Sequence, residues 1–543
     1  MDAFGRESLV FCNDLPSTEA RLAGLAMRLD WHDGPTHASF VLHALARFGE
    51  RTAFMAGKRA ISYRAARDLI GRMQAAMVRA GIGRGDVIAG LSSNNFEAWC
   101  ASVACNGLGA ATTSLHPLGS HQDHLDQIAD SGATALILDP AFGDRAGQLC
   151  VDASVPTTLV LGPASFGKDL IAEAMDASFS PKDLSRPNEL AIINYTGGTT
   201  GRPKGVRRSH RELTAGSIAV LANFPLPKLP VYLAAAPISH AAGMFIAPVL
   251  ARGGTVDLMS GFEPDALIRR LLDSKANMSL LVPSMIYALL DHTTWSRADL
   301  TSLELLLYGA SPIAPSRLEE GLDRIGQVFC QLYGQTECFG IASLRPEDHS
   351  LDRPELLASA GHPLLDCEVC VLDDSGLMTE AGIKGEICVR APYAMQGYWN
   401  QPDLTAATIK DGWICTGDIG WQDEEGRLFI VDRKKEMVIS GGFNVFPSEV
   451  ENVLNAHPAI AGAAVIGVPD NRWGEAVKAY IVIRPGYSVS QDDLASWVRS
   501  RKGPAHVPKS FEVVGELPLT SVGKIDKKAL RSAWWDTSER QVS

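Results

Sequence analysis

Short apolar runs and longer amphipathic stretches alternate along this chain from Phe40 onward. Tyr63 to Ala80 repeats its apolar residues at helical spacing and stops at Gly81, which predicts an amphipathic helix. Asp86 to Leu91 predicts a strand, Asn95 to Leu108 the helix after it, and Ala133 to Leu138 another strand. The pattern returns at Val231–Ala236, Thr255–Met259, Ser279–Val282 and Leu303–Leu307. Such alternation implies βαβ units, hence parallel sheets with helices on both faces. Residues 1–35 show no period and are expected to wrap the surface irregularly.

The texture changes after about residue 360. Short runs bounded by Gly, Asp and Pro (Glu368–Leu372, Glu386–Arg390, Leu428–Asp432) predict a small β-rich lobe over about 360–432. The basic run Arg433-Lys434-Lys435 follows. Beyond it, Pro447 to Ala456 and Gln491 to Arg501 read as helices, and Ile460 to Gly467 and Ala479 to Ile483 as strands. The expected fold class is α/β. A large multi-layer N-terminal domain, 1–432, holds two parallel-sheet subdomains plus the β-rich lobe, and a small α+β domain occupies 433–543.

Composition narrows the function. Of 543 residues, 46% are hydrophobic and 21% charged, an ordinary globular mix with material for a large core. A net charge of -12 argues against nucleic acid as the main partner. The 10 cysteines are scattered, and Cys367-x-x-Cys370 has no second pair, so they read as structural thiols of a reducing, cytoplasmic compartment rather than zinc ligands. No leader pattern opens the chain and no apolar run is long enough to form an integral membrane segment.

Candidate chemistry begins at Tyr195-Thr-Gly-Gly-Thr-Thr-Gly-Arg-Pro-Lys-Gly205, behind the apolar run Leu190 to Ile193. Glycines let backbone approach a polyphosphate, and hydroxyls and N–H groups donate to its oxygens. Pro203 before Lys204, with no Ser or Thr after it, separates this loop from the Walker type. A second constellation, Gln331-Leu-Tyr-Gly-Gln-Thr-Glu337, follows the strand-like Gln327–Phe329. Glu337 suits a Mg²⁺ ion, while Thr336 equally suits a helix cap. In Trp413-Ile-Cys-Thr-Gly-Asp418, an Asp after a Gly turn suits a ribose diol or an ordinary turn. Asp432 to Val445 places basic residues and a Gly-Gly turn at the expected hinge, or merely a solvated charge run. Pro518 to Lys528 carries Lys524 on a Gly-led turn, able to enter a cleft or to stand in solvent.

In order and spacing these stretches resemble the adenylate-forming superfamily of acyl-CoA synthetases, adenylation domains and luciferases, from about residue 40 to 530. The resemblance implies that Thr196, Gly197, Gly198, Thr199, Thr200 and Lys204 hold the ATP β- and γ-phosphates, Gly197 standing where a serine is common. It implies Gly309, Ala310 and Ser311 at the adenine, with Gln331 and Tyr333 nearby. Thr336 falls to the α-phosphate, Glu337 to Mg²⁺, and Asp418 and Arg433 to the ribose. Lys524 bridges the acyl carboxylate and α-phosphate, and Lys435 is the hinge. Gly441, Gly442 and Phe443 meet coenzyme A after a mobile C-terminal lid has rotated. His240, Ala241, Ala242, Met244, Phe245 and Gly334 fall at the acyl pocket, which lacks an acidic residue for an amino group and has small Ala242 where many 4-coumarate ligases carry an aromatic residue.

The implied reaction joins an apolar carboxylic acid (medium-chain, branched or arylalkanoic) to ATP, then to coenzyme A. Alternatives are loading of a carrier protein in trans and an inactive nucleotide- or CoA-binding relative. The resemblance also implies a monomer or homodimer, and regulation by a lysine acetyltransferase and deacetylase acting on Lys524.

Overall fold

The computed structural model of the chain describes residues 34–175, 179–196, 204–292, 295–470, 472–520 and 523–535; the expectation for residues 1–35 falls almost wholly outside them. The first long amphipathic stretch is the helix Tyr63–Arg79, capped by Ser62, whose side chain accepts from the Ala65 N–H. Tyr63, Ala66, Ile70, Met73 and Met77 recur at spacings of three and four and form its buried face. Each such buried large side chain contributes roughly 1.5–3 kcal/mol.

Two large sheets form the N-terminal part. One has nine strands, from the edge His362–Pro363 through Ala342–Leu344, Phe329–Tyr333, Leu305–Gly309, Met278–Leu281, Val231–Ala234, Thr255–Leu258 and Thr52–Ala56 to Arg59–Ser62. Its interior pairings are parallel and its outer ones antiparallel. The other has eight strands, running from Gly397–Tyr398 through Lys204–Ser209, Leu190–Thr196, Ala111–Leu115, Val87–Leu91, Ala135–Leu138 and Thr157–Val160 to Lys168–Asp169. One core cluster joins both sheets, with Phe54, Tyr232 and Leu305 from the first and Ile88 and Val206 from the second.

The lobe is a five-stranded sheet built on Glu368–Leu372, Gly385–Arg390 and Trp413–Gln422, with Ile409–Lys410 and Leu428–Arg433 beside the last. Cys388 and Cys415 face each other across it as free thiols, Sγ to Sγ 3.6 Å. A fourth sheet holds Val438–Ser440, Phe443–Val445, Ile460–Asp470, Gly474–Ile483 and Ser510–Val513, covered by the helices Pro447–Asn455 and Gln491–Lys502. Its core is drawn from residues 438–530 alone. Contacts to the rest include Lys384 to Glu449 at 3.2 Å, Arg484 to Asp291 at 3.8 Å, the Ser448 N–H donating to Asp432 Oδ2 at 2.8 Å, and Ser284 Oγ donating to the Gly523 carbonyl at 2.9 Å. Among the described residues no helix is long and apolar enough to cross a membrane.

Two sequence expectations shift. The strand expected at Gln327–Phe329 is Phe329–Tyr333, so Gln331 and Tyr333 lie on it, and no helix begins at Thr336. Asp418 lies inside the ten-residue strand Trp413–Gln422, where register is lost between Glu386 and Cys388 on the neighbouring strand. The expected Gly turn is a bulge, which re-aims a side chain without ending the strand.

Candidate active site

The stretch expected to hold phosphate is flanked by an antiparallel pair of strands. Thr196 pairs with Lys204, so the strands Leu190–Thr196 and Lys204–Ser209 bring both loop ends together. Gly197, Gly198, Thr199 and Thr200 lie outside the described residues. The Lys204 ammonium stands 5.9 Å over the Tyr398 ring, and the Tyr398 hydroxyl donates to Glu337 Oε1 at 2.7 Å. Tyr398 extends the hairpin's ladder by pairing with Val206. Sequence reasoning missed it, because a lone tyrosine on a two-residue strand carries no period.

Glu337 and Thr336 follow the strand Phe329–Tyr333 through a tight crossing. A Cβ on Gly334 would lie 1.7 Å from the Phe339 carbonyl oxygen, so this position excludes a side chain. The Thr336 carbonyl accepts from Arg208, which also donates to Asn194 Oδ1 at 3.2 Å. Arg208 is 4% exposed, and its burial lowers its pKa. This second residue missed in the sequence ties the hairpin to the turn carrying Glu337. Among the described residues Glu337 has no ion-pair partner.

Asp418 is gripped from three directions. Its Oδ1 takes Arg433 at 2.7 Å, and its Oδ2 accepts from the Tyr333 hydroxyl at 2.6 Å and the Gln335 amide at 2.6 Å. Burial raises its pKa, against the downward pull of Arg433, Tyr333 and Gln335. The Tyr333 phenol is pushed well above its ordinary value by burial and by Asp418. Gly309 ends the adjacent strand, paired with Leu332. Ala310 follows with φ 69°, a left-handed conformation costing a non-glycine residue roughly 1–2 kcal/mol. Ser311 comes next, half-buried. Gln331 Oε1 accepts from the Tyr308 hydroxyl at 3.3 Å, on the same strand as Tyr333.

Lys524 arrives from the other domain. Gly523 is fastened to Ser284, and Lys524 lies in the field of Arg433, Asp418 and Glu337. Burial, then Arg433, lowers its pKa, while Asp418 and Glu337 pull it back. Lys435 sits in the short turn Lys434–Glu436, between the lobe's last strand and the fourth sheet, with its pKa lowered by burial and by Arg433. Gly441 and Gly442 join the strands Val438–Ser440 and Phe443–Val445 with φ values of 59° and 83°, the backbone of a two-residue hairpin loop. Phe443 is 62% exposed, and both glycines are exposed beside it.

The expected acyl pocket divides. His240, Ala241 and Met244 are half-buried, whereas Ala242 and Phe245 are 1% and 0% exposed. Phe245 packs on Phe224, Tyr232 and Phe339, facing the core rather than a cavity. The His240 pKa is lowered to about 4 by burial, His116 and Lys524, so the imidazole is neutral at pH 7. His116, absent from the sequence reading, meets His240 ring to ring at 4.7 Å.

Residues from the two large sheets and the lobe thus converge with Lys524 from the C-terminal part on one site. The profile described as AMP-binding enzyme matches residues 41–399, and that described as AMP-binding enzyme C-terminal domain matches 449–524. A medium/long-chain-fatty-acid–CoA ligase of Mycobacterium tuberculosis is 39% identical over 94% of this chain and 92% of its own. A feruloyl-CoA synthase of an Amycolatopsis species is 37% identical over 88% of this chain and 95% of its own. An amide bond synthetase from Marinactinospora thermotolerans superposes with a TM-score of 0.85 at 34% identity, over 92% of this chain and 99% of its own. The chain belongs to the AMP-binding enzyme family, and so to the adenylate-forming superfamily in its acyl-CoA synthetase branch.

Proposed function

We propose that this enzyme activates an apolar carboxylic acid as acyl-AMP, with release of pyrophosphate, and transfers the acyl group to coenzyme A. The observation that carries this reading is the position of Lys524, brought from the C-terminal part into the field of Asp418 and Arg433 on the lobe's strands and of Glu337 after the strand Phe329–Tyr333. A carboxylate attacking the α-phosphorus of ATP brings negative charges together, and its barrier falls when fixed cations and dipoles face that charge. Lys524 neutralises the carboxylate and α-phosphate; Asp418, with Arg433 beside it, accepts from the ribose hydroxyls. Lys204 and the hairpin loop take the β- and γ-phosphates.

Glu337, with one oxygen on Tyr398 and no ion pair among the described residues, fits a Mg²⁺ ligand. Bound there, the ion would neutralise phosphate charge. The thiol of coenzyme A then attacks the acyl-adenylate carbonyl, its proton leaves, and AMP departs. The Gly441–Phe443 turn, exposed while Lys524 is docked, serves this second step once the C-terminal domain has turned about Lys435. Neutral His240 and apolar Ala241 and Met244 favour an uncharged acyl chain.

The test measures AMP, pyrophosphate and thioester over a panel of fatty, branched, arylalkanoic and hydroxycinnamic acids, with and without coenzyme A. Thioester formed only with coenzyme A, ATP and Mg²⁺ supports the reading, and the best acid names the class. Pyrophosphate release without thioester points to a carrier-protein acceptor instead. Silence across the panel overturns the reading in favour of a nucleotide-binding relative.

A further inference from the structure

His116 directly follows the strand Ala111–Leu115 and is 8% exposed. The turn after it is tied down: Arg145 donates to the Pro117 carbonyl at 2.7 Å and also to that of Gly119, and His124 Nε2 donates to the His116 carbonyl at 2.9 Å. The His116 ring accepts the Leu118 N–H on Nδ1 at 3.1 Å. An accepting Nδ1 leaves the proton of the neutral ring on Nε2. Burial, His124 and Arg145 depress the His116 pKa to about 4, so the neutral form prevails. That buried Nε2–H has no hydrogen-bond partner. Orphaned buried donors are rare and unfavourable, and the ordinary explanation is a missing ligand or water.

The surroundings indicate which ligand. The ring meets that of His240, which itself feels Lys524. Thr112 pairs with Ile192 in the parallel ladder, and His116 and Thr196 each lie four residues further on. His116 therefore stands between the acyl side of the site and the start of the phosphate loop.

We infer that His116 is a substrate-binding residue whose Nε2–H donates to the carboxyl oxygen of the acid and, after activation, to the carbonyl oxygen of the acyl-adenylate. The inference rests on the ligase reading above. It adds a neutral donor beside His240, able to orient the carboxyl group without adding charge.

Two substitutions separate this role from a structural one. His116→Asn retains an acceptor for the Leu118 N–H but places no donor at Nε2; His116→Gln restores a donor there. With decanoate as the acid, His116→Asn should raise its KM about ten- to hundredfold and leave the KM for ATP nearly unchanged, the loss of one hydrogen bond to a charged group. His116→Gln should recover most of that loss. Calorimetric binding of decanoyl-sulfamoyl-adenosine should weaken in the same order. An Asn variant equal to wild type beside an impaired Gln variant would reduce His116 to a prop for its turn. A rise confined to the KM for ATP would move the contact to the phosphates and overturn the assignment. Wild-type enzyme inert toward decanoate and every other acid of the panel would overturn the ligase reading itself.

Discussion

Replacing Lys524 with alanine should split the two half-reactions. The ammonium is the cation carried into the cleft by the C-terminal domain, and it lies in the field of Asp418 and Glu337. A unit charge about 4 Å from a developing negative charge, at an effective dielectric constant of about 20, interacts by about 4 kcal/mol. Lost from the transition state, that is about a thousandfold in rate. Adenylation, followed by acid-dependent exchange of labelled pyrophosphate into ATP, should fall by about that factor. Thioester formation from supplied acyl-adenylate and coenzyme A should change by less than about threefold, because on the proposed reading the second step uses another face of the domain. Burial and Arg433 lower the Lys524 pKa, so adenylation should decline with rising pH before an ordinary lysine would titrate. Equal losses in both half-reactions would refute the reasoning, since a residue serving one docked position cannot tax both steps alike.

Further expectations follow from the same geometry. Tyr398→Phe removes the hydroxyl on Glu337 and should raise the Mg²⁺ concentration needed for half-maximal exchange about threefold to tenfold, read by metal titration. Tyr333→Phe leaves a buried carboxylate short of one donor and should raise the KM for ATP at least about tenfold, with the KM for the acid nearly unmoved. Arg270→Ala strands Asp257, which is 0% exposed, and should cost about 3–5 kcal/mol of stability by thermal or denaturant unfolding. His37, His116, His210, His240 and His349 are all depressed to about 4, chiefly by burial. Between that value and the ordinary 6.5 the unfolded chain binds more protons, so stability should fall as pH drops through this window and level off above about 7. A melting temperature unchanged from pH 7 to 5 would contradict this.

The sequence revealed elements where a period was long and chemistry where residue types clustered. Tyr63–Ala80 ran for five turns with one apolar face, so its helix was legible to within a residue of its end. Lys204, Glu337, Asp418 and Lys524 stood out only through the order and spacing of their stretches, most of which alone suited an ordinary turn, cap or tail as well. What stayed hidden depended on contacts far apart in sequence. Tyr398 matters because it reaches Glu337, 61 residues away, and Arg208 because it reaches Thr336, 128 residues away. His116 stood in no period or motif of the sequence; only the accepted Leu118 N–H and the orphaned Nε2 mark it. Phe245 misled for the opposite reason: adjacency to His240 suggested a shared pocket, but a tight 3-10 turn, Ala241–Phe245, rotates it into the core.

Asp418 and Arg433 are opposite partners in the lobe's ladder, and Arg433 is the last residue of its strand before the turn Lys434–Glu436. On the proposed reading, the grip on the ribose is therefore complete two residues short of the swivel. If the C-terminal domain turns at Lys435, it can carry Lys524 away while leaving both members of the pair in place. Occupancy by the nucleotide would thereby be uncoupled from lid position, so an activated acyl group would remain anchored by its AMP half while the second acceptor approaches.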